Sequence, residues 1–387
     1  MTGIPIIYFA NDFTADQTSR HHIAHELSKR HPILWVESVG TRNIDFRRGD
    51  MKRGWNKLRT LLKGVRELYP NIWVLTPRPI PLNRFPLVSR INQHVLVSQI
   101  RRACRRLGFQ RPLLWIGYPQ TRFAIGRFDE RLVVYHATDE YADFPGVDRE
   151  TVLQMEAECL SRANCVFYAV KRLYENKRRH NPQSFLIPHG VNYKLFSSAQ
   201  TQSYPLPDEL RGLQKPVIGF YGLIDEWLDF ELLGLIARRI PNASLVLIGK
   251  INVPLNGLSR YQNIHWVPQK PKEELPKYCR YFDAAIVPYS QGYKRFDTTN
   301  PIKIKEYLAA GLPAVTYSFP DLGEKIRPHL FVAKDREDFV AKLRDCLERG
   351  KDPGLIAGRQ DAVRGDSWKG IVELMERTIE NLLKGRP

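Results

Sequence analysis

The stretch "TTNPIKIKEYLAAGLPAV", Thr298 to Val315, holds a helix start, a helix stop and a buried strand in close succession. Asn300 is a good N-cap, and Pro301 suits the first helical position, where its missing N–H costs nothing. Gly311 fits the position just past the helix end, Pro313 forbids continuation, and Ala314 to Tyr317 reads as a strand. The unpaired amides of the first turn and the positive end of the helix dipole point at whatever precedes Asn300, a place that favours an anion. Lys303 and Glu306 lie three apart and share a face, offering one cation and one acceptor near that start. A phosphate beside a sugar hydroxyl would satisfy both. On this segment alone the alternative is an ordinary amphipathic helix with Lys303, Lys305 and Glu306 simply solvated.

Outward from this stretch, short apolar runs alternate with helix-period segments. The first half carries "IPIIYFA", "PILWVES", "NIWVLTP", "PLLWIGYP", "LVVYHATD", "CVFYAV" and "SFLIPHG", with helical patterns such as "SRHHIAHELSKR" and "RETVLQMEAECLSRA" between them. After "SSAQTQSYPLPDELRGLQ" (197–214), polar and without periodicity, a second series runs through "PVIGFYGLI", "ASLVLIGK", "NIHWVPQ", "AAIVPYS", "PAVTYSF" and "LFVAKD". Strand–helix alternation implies parallel sheets covered on both faces. The expectation is an α/β chain of two facing doubly wound, Rossmann-like domains. Residues 1–196 would form the first, 197–214 a linker and 215–365 the second, with a last helix in 366–387 packing back toward the first. Ligands of such sheets bind outside the carboxyl ends of strands. That rule picks out Asn11 to Arg20, Asp139-Glu140, His189-Gly190, Leu223 to Trp227 and Gln291 to Asn300.

The composition, 43% hydrophobic and 11% aromatic over 387 residues, supports filled cores in two domains of ordinary size. Five scattered cysteines without a CxxC pair suit a reducing, cytosolic setting and argue against structural zinc. The N-terminal "MTGIPIIYFANDF" reads as a first strand rather than a signal peptide, and no run approaches a spanning length. Charge is the unusual feature: 59 Lys+Arg against 41 Asp+Glu gives +18. Nine basic residues fall between Arg42 and Arg66, threaded with apolar residues at helical spacing over 51–65. Arg47, Arg48, Lys52, Arg53 and Trp55 together form the pattern of a segment lying on an anionic membrane surface. A basic helix packed on its own domain is the bland alternative, and nucleic acid is the rival polyanion. No nucleic-acid reading module accompanies the basic segments, so no nucleic acid is expected as a partner.

The segments "CLSRANCVFYAVKRLYE…FLIPHGVNYKLF", "VIGFYGLIDEWLDFELLGLIARRIPNASLVLIGK" and "FDAAIVPY…TTNPIKIKEYLAAGLPAV" resemble the GT-B glycosyltransferases over nearly the whole chain. The flavour is that of bacterial polysaccharide-assembly enzymes, family 4-like and similar to the teichuronic-acid and xanthan glucuronosyltransferase groups. The resemblance implies a nucleotide-sugar donor, a UDP-sugar before others, and a saccharide or lipid-linked acceptor in cell-surface polysaccharide synthesis. No cofactor and no metal are expected, and the basic stretch 42–66 leads to the expectation of a cytoplasmic enzyme peripheral on the inner face of the cytoplasmic membrane. In retaining members a Glu-x7-Glu motif places its second Glu on the ribose. Here Glu306 matches it, while Thr298 stands where the first Glu would be. "YGLIDEW" also lacks the basic pair that retaining members set against the diphosphate. Inversion is therefore favoured over retention.

On this reading Lys303 is catalytic, neutralising the leaving diphosphate, with Lys294 or Arg295 and the helix amides assisting. Donor contacts fall to Glu306, Thr298, Thr299, Asn300, His189 and Gly222. An inverting transfer needs a base for the acceptor hydroxyl. By analogy with an Asp in the xanthan-type enzymes Asp139 is the candidate, a cap or structural acceptor being its alternative. His136, on the same strand, reads as a core group. His21 and His25 at i and i+4 could bind zinc, but His22 occupies the place of the Glu in HExxH and no further ligand completes a set. A non-catalytic sugar-nucleotide-binding subunit and a basic nucleic-acid-binding protein are the readings of other classes.

Overall fold

The computed structural model describes residues 3–14, 17–37, 64–77, 86–144, 146–255, 257–293, 295–350 and 352–385. Two units separate, Met1–Pro188 with Ile371–Pro387, and His189–Gly370.

The first unit is built on strands β1 (Ile6–Ala10), β2 (Ile33–Glu37), β3 (Arg66–Tyr69), β4 (Ile72–Leu75), β5 (Leu113–Ile116), β6 (Leu132–Ala137), β7 (Cys165–Tyr168) and β8 (Ser184–Leu186). Their order is β3-β4-β2-β1-β5-β6-β7-β8, all parallel except for β3, which runs antiparallel to β4 at the edge. The apolar runs of the sequence become these strands because both faces of the sheet are covered, so no alternation is needed. On one face Ile7, Phe9, Leu34, Val36, Leu114, Ile116 and Tyr135 pack with Leu96 and Ile100 of the helix Pro86–Leu107 and Leu160 of the helix Arg149–Arg162. On the other face, register sets Tyr8 opposite both Trp35 and Trp115, and the three rings stack at 5.3 Å centroid spacing. Such pairs add about 0.5–1.5 kcal/mol each beyond area burial. The helix Trp368–Lys384 delivers Glu376 to this unit, where its carboxylate accepts from Arg30 and pairs with His31 at 3.0 Å.

The second unit holds β9 (Val217–Tyr221), β10 (Ser244–Ile248), β11 (Ile264–Val267), β12 (Ala284–Val287), β13 (Ala314–Tyr317) and β14 (Phe331–Ala333). They are ordered β11-β10-β9-β12-β13-β14 and entirely parallel. Both sheets reverse their winding between the first strand and a neighbour, β1/β5 and β9/β12, and such switch points are where doubly wound sheets open a crevice for ligands.

The edge strand β3 was not foreseen: its sequence "RELY" is polar and mostly exposed, so it has no apolar signature. The segment 197–214, expected as a linker, holds structure of its own. The helix Tyr193–Thr201 runs into it, with Phe196 and Ala199 in the core of the second unit, and Leu210 is buried there too. The chain enters the second unit at His189 and leaves it after Gly370. Entry and exit lie side by side, the Val191 N–H donating to Asp366 O at 2.8 Å in a parallel bridge with Ser367. Finally, the basic stretch with Arg47, Arg48, Lys52, Arg53 and Trp55 lies outside the described residues, up to Lys63. Among the described residues no helix is long and apolar enough to cross a membrane.

Candidate active site

At the β9/β12 switch point the backbone itself is crowded. Gly222, directly after β9, has φ +142°, and a Cβ on Gly249, directly after β10, would fall 1.9 Å from Gly222 O. Only glycine lets these two strand ends meet. Lys303 reaches this point from the helix Ile302–Ala309: a Cβ on Gly222 would sit 3.1 Å from its Nζ. The ammonium donates to Tyr289 Oη at 2.7 Å and lies 5.5 Å from the Phe220 ring centroid and 5.2 Å from that of Tyr289. Among the described residues no carboxylate pairs with it. Rings and a hydroxyl hold the charge in place without neutralising it.

Glu306, from the next turn, is buried. Its Oε1 pairs with Lys272 at 2.6 Å, and its Oε2 accepts from Tyr221 Oη at 3.0 Å. Burial, then the neighbouring Glu306, pushes the Tyr221 hydroxyl well above its usual range, so it remains a donor. A carboxylate has about four acceptor positions, leaving Glu306 capacity for further hydroxyls. Lys305, by contrast, is structural: buried, it donates to His189 O and pairs with Asp366, both at 2.7 Å.

The start of this helix differs from expectation. Pro301, in extended conformation, is the cap residue, and helix begins at Ile302. The Asn300 side-chain amide donates to Asp321 Oδ2 at 3.5 Å. An Asn-Pro pair allows either residue to stand at the boundary, because proline cannot donate and its φ suits both positions. The hydroxyls of Thr298 and Thr299 both donate back to Arg295 O, at 3.3 and 2.9 Å, closing the 3-10 turn Phe296–Thr298. The Arg295 side chain is half-buried, and the His189 ring lies 6.4 Å from that of Trp368. Lys294 lies outside the described residues.

A second cluster occupies the β1/β5 switch point. Arg20, in the helix Ser19–Ser28, is 5% exposed and directs its guanidinium across the end of β5. It donates to Gly117 O at 3.2 Å, Tyr118 Oη at 3.1 Å, Thr138 Oγ1 at 2.7 Å and Tyr141 Oη. Gly117 must be glycine, since a Cβ there would meet Phe9 O at 2.4 Å and Arg20 Nε at 3.1 Å. Burial alone works against the Arg20 charge; Tyr141, Tyr118 and Asp139 outweigh it and push the guanidinium up. Burial also pushes the Tyr141 hydroxyl above its usual range, so that ring is neutral and Asp139 is the charge that answers Arg20. Asp139 is half-buried just past β6, and its Oδ2 accepts from Thr138 Oγ1 at 3.0 Å. On its other side Glu140 pairs with Lys177 at 2.7 Å, and Lys177 also reaches Glu156 at 2.7 Å. Burial raises the Glu156 carboxyl, the Lys177 cation opposing it, and Tyr135 donates to it at 2.9 Å.

His21 and His25 take different stacking partners. His21 is buried against Trp35 with ring centroids 4.9 Å apart, while His25 stacks on Tyr69 at 4.1 Å. Among the described residues no group of three or more His, Cys, Asp or Glu could hold a metal ion. His136 is a core residue, edge-on to Trp115 at 6.1 Å. Sequence reasoning missed Lys272, Tyr221 and Tyr289 beside the helix, and Arg20, Tyr118 and Tyr141 beside Asp139. Arg20 lay within a strand-end segment singled out by the switch-point rule; Lys272, beyond the end of β11, did not.

The fold is that of the GT-B glycosyltransferases. Sucrose-phosphate synthase from Thermosynechococcus elongatus superposes with a TM-score of 0.72 at 18% identity, covering 99% of this chain and all of that one. Anabaena HepE in complex with UDP-glucose gives 0.66 at 14%, covering 98% and 100%. An E. coli trehalose-6-phosphate protein bound with UDP-2-fluoro glucose gives 0.65 at 14%, covering 99% and 100%. Residues 215–349 match the family described as glycosyl transferases group 1. TuaH of Bacillus subtilis (strain 168), named as a teichuronic acid biosynthesis glycosyltransferase, is 24% identical over 279 residues, 67% of this chain and 69% of TuaH.

Proposed function

We propose that the protein transfers a sugar from a UDP-sugar to a saccharide acceptor, carried on a lipid, in the assembly of a bacterial cell-surface polysaccharide, with inversion at the anomeric carbon. The observation that carries the reading is the Lys303 ammonium beside Gly222 and Tyr289 with no carboxylate pairing among the described residues, at a switch point inside the group 1 domain. An uncompensated cation there suits a diphosphate, whose charge rises as the glycosidic bond to phosphate breaks. The UDP ligands of HepE and of the trehalose-6-phosphate protein support UDP, and the similarity to TuaH supports a polysaccharide. Glu306 takes the ribose hydroxyls while Lys272 and Tyr221 hold its carboxylate.

In the transfer, Asp139 removes the proton of the acceptor hydroxyl as its oxygen attacks the anomeric carbon from the face opposite the leaving group. The anomeric carbon–oxygen bond breaks, and the electron pair leaves with UDP, neutralised by Lys303. Inversion fits the absence of the first Glu of the retaining motif, with Thr298 in its place. The anionic inner membrane surface, met by the basic stretch 42–66, is where a lipid-linked acceptor is presented.

The test is a thermal-shift panel of UDP-, GDP- and ADP-sugars, followed by NMR of the product's anomeric configuration with the nucleotide that binds. A UDP-sugar should raise the melting point most and the product should be inverted. A retained configuration removes Asp139 as base. Purified protein that binds the donor and never turns it over leaves a non-catalytic subunit.

A further inference from the structure

We propose that Arg20 is a positioning residue for Asp139, acting through the hydroxyl of Thr138; the proposal rests on the reading of Asp139 as the base. Proton accounting supplies the argument. Thr138 Oγ1 receives a guanidinium proton from Arg20 at 2.7 Å, so its own single proton is free to go to Asp139 Oδ2 at 3.0 Å. The competing acceptor is Tyr141 Oη, 2.8 Å from Thr138, but Tyr141 also accepts from Arg20 and sends its proton to Gly117 O at 2.9 Å. The bonds therefore run in one direction, from cation to hydroxyl to carboxylate. One oxygen of Asp139, Oδ2, is thereby held.

A guanidinium buried among neutral hydroxyls and a carbonyl is costly to place, and nothing about sheet packing requires it. Its place is explained if its charge serves the carboxylate one hydroxyl away. The neighbouring residue is fixed independently, Glu140 by Lys177, whose other partner is Glu156. The groups about Asp139 in this unit are thus Arg20, Tyr8, Tyr118 and Tyr141 toward β1 and β5, and Glu140, Lys177 and Glu156 toward the helix Arg149–Arg162. Arg20 reaches Asp139 through Thr138, whose hydroxyl accepts from the cation and donates to the carboxylate.

Three variants test this with UDP-glucose as donor, alongside Asp139→Asn. Thr138→Val keeps the shape and removes the link. Its kcat should fall on the order of 10²-fold, the cost of a misplacement of ~1 Å, with the UDP-glucose KM unchanged. Thr138→Ser should restore most of the rate, which a loss of packing would not allow. Arg20→Lys keeps the charge but not the fork and should resemble Thr138→Val. Crystal structures without substrate add a readout independent of the donor. The Asp139 carboxylate should leave its place in Thr138→Val and keep it in Thr138→Ser. An Asp139 that stays put in Thr138→Val, or equal rates in the Val and Ser variants, overturns the proposal. If Asp139→Asn itself transfers sugar normally, it is the reading of Asp139 as base that falls.

Discussion

The backbone N–H of Thr18 donates to Nδ1 of His21 at 3.0 Å, so a histidine occupies the place that Glu or Gln takes in a capping box at the start of the helix Ser19–Ser28. That bond needs Nδ1 unprotonated. Burial, reinforced by His25, lowers the His21 pKa from 6.5 to about 4. The unfolded chain therefore binds the proton first, and the His21 contribution is complete above pH 6.5 and lost as pH falls toward 4. His21→Gln preserves the capping box and removes the titration. The difference in unfolding free energy between the two proteins should shift in the variant's favour on acidification through this window, the parent losing about 1–2 kcal/mol more than the variant. Parallel curves in urea denaturation from pH 7 to 4 would mean that His21 does not titrate on unfolding.

Lys177 is shared by two buried carboxylates, Glu140 and Glu156, each at 2.7 Å. Lys177→Met removes the common cation and leaves both acids behind, which should cost about 3–5 kcal/mol. Denaturant midpoints measure it. A loss below 1 kcal/mol, about that of an exposed pair, would show that water compensates the cluster.

For Glu306→Ala, nucleotide affinity should drop by about 1.5–3 kcal/mol, the scale of a hydrogen bond to a charged group. Calorimetric titration with UDP checks it. Lys272→Met, which removes the cation beside the carboxylate, should weaken UDP binding in the same direction. Unaltered affinity in Glu306→Ala places the ribose elsewhere.

Lys303→Ala should lower kcat more than it raises KM, because the charge it meets grows in the transition state. The reverse pattern, a raised KM with intact kcat, makes Lys303 a ground-state binder only.

The basic stretch can be probed without reference to its conformation. Liposome co-sedimentation should require anionic lipid and weaken steeply with salt, since each Lys or Arg near the surface contributes about 1 kcal/mol. Changing Arg47, Arg48, Lys52 and Arg53 together to Glu should abolish it. Equal binding to neutral vesicles would refute an electrostatic attachment.

Much of the fold was legible because buried parallel strands announce themselves as continuous apolar runs: "PILWVES" and "ASLVLIGK" contain β2 and β10. What stayed hidden was set by partners distant in sequence. β3 exists because β4 offers an edge, not because "RELY" favours extension. Lys272 meets Glu306, and Arg20 meets Thr138, only once the strands are in order. The helix opening at Ile302 was visible to within a residue, with Pro301 rather than Asn300 at the boundary.

The adjacency of Val191 and Ser367 makes the second unit a cassette whose two seams are stitched together. Residues 189–370 can be cut out as one uninterrupted piece and expressed alone, carrying Lys303, Glu306 and Lys272 with them. The remainder, residues 1–188 and 371–387, keeps Glu376 with Arg30 and His31 once its two cut ends are rejoined by a loop. Each half can then be assayed separately for the ligand that the proposed function assigns to it.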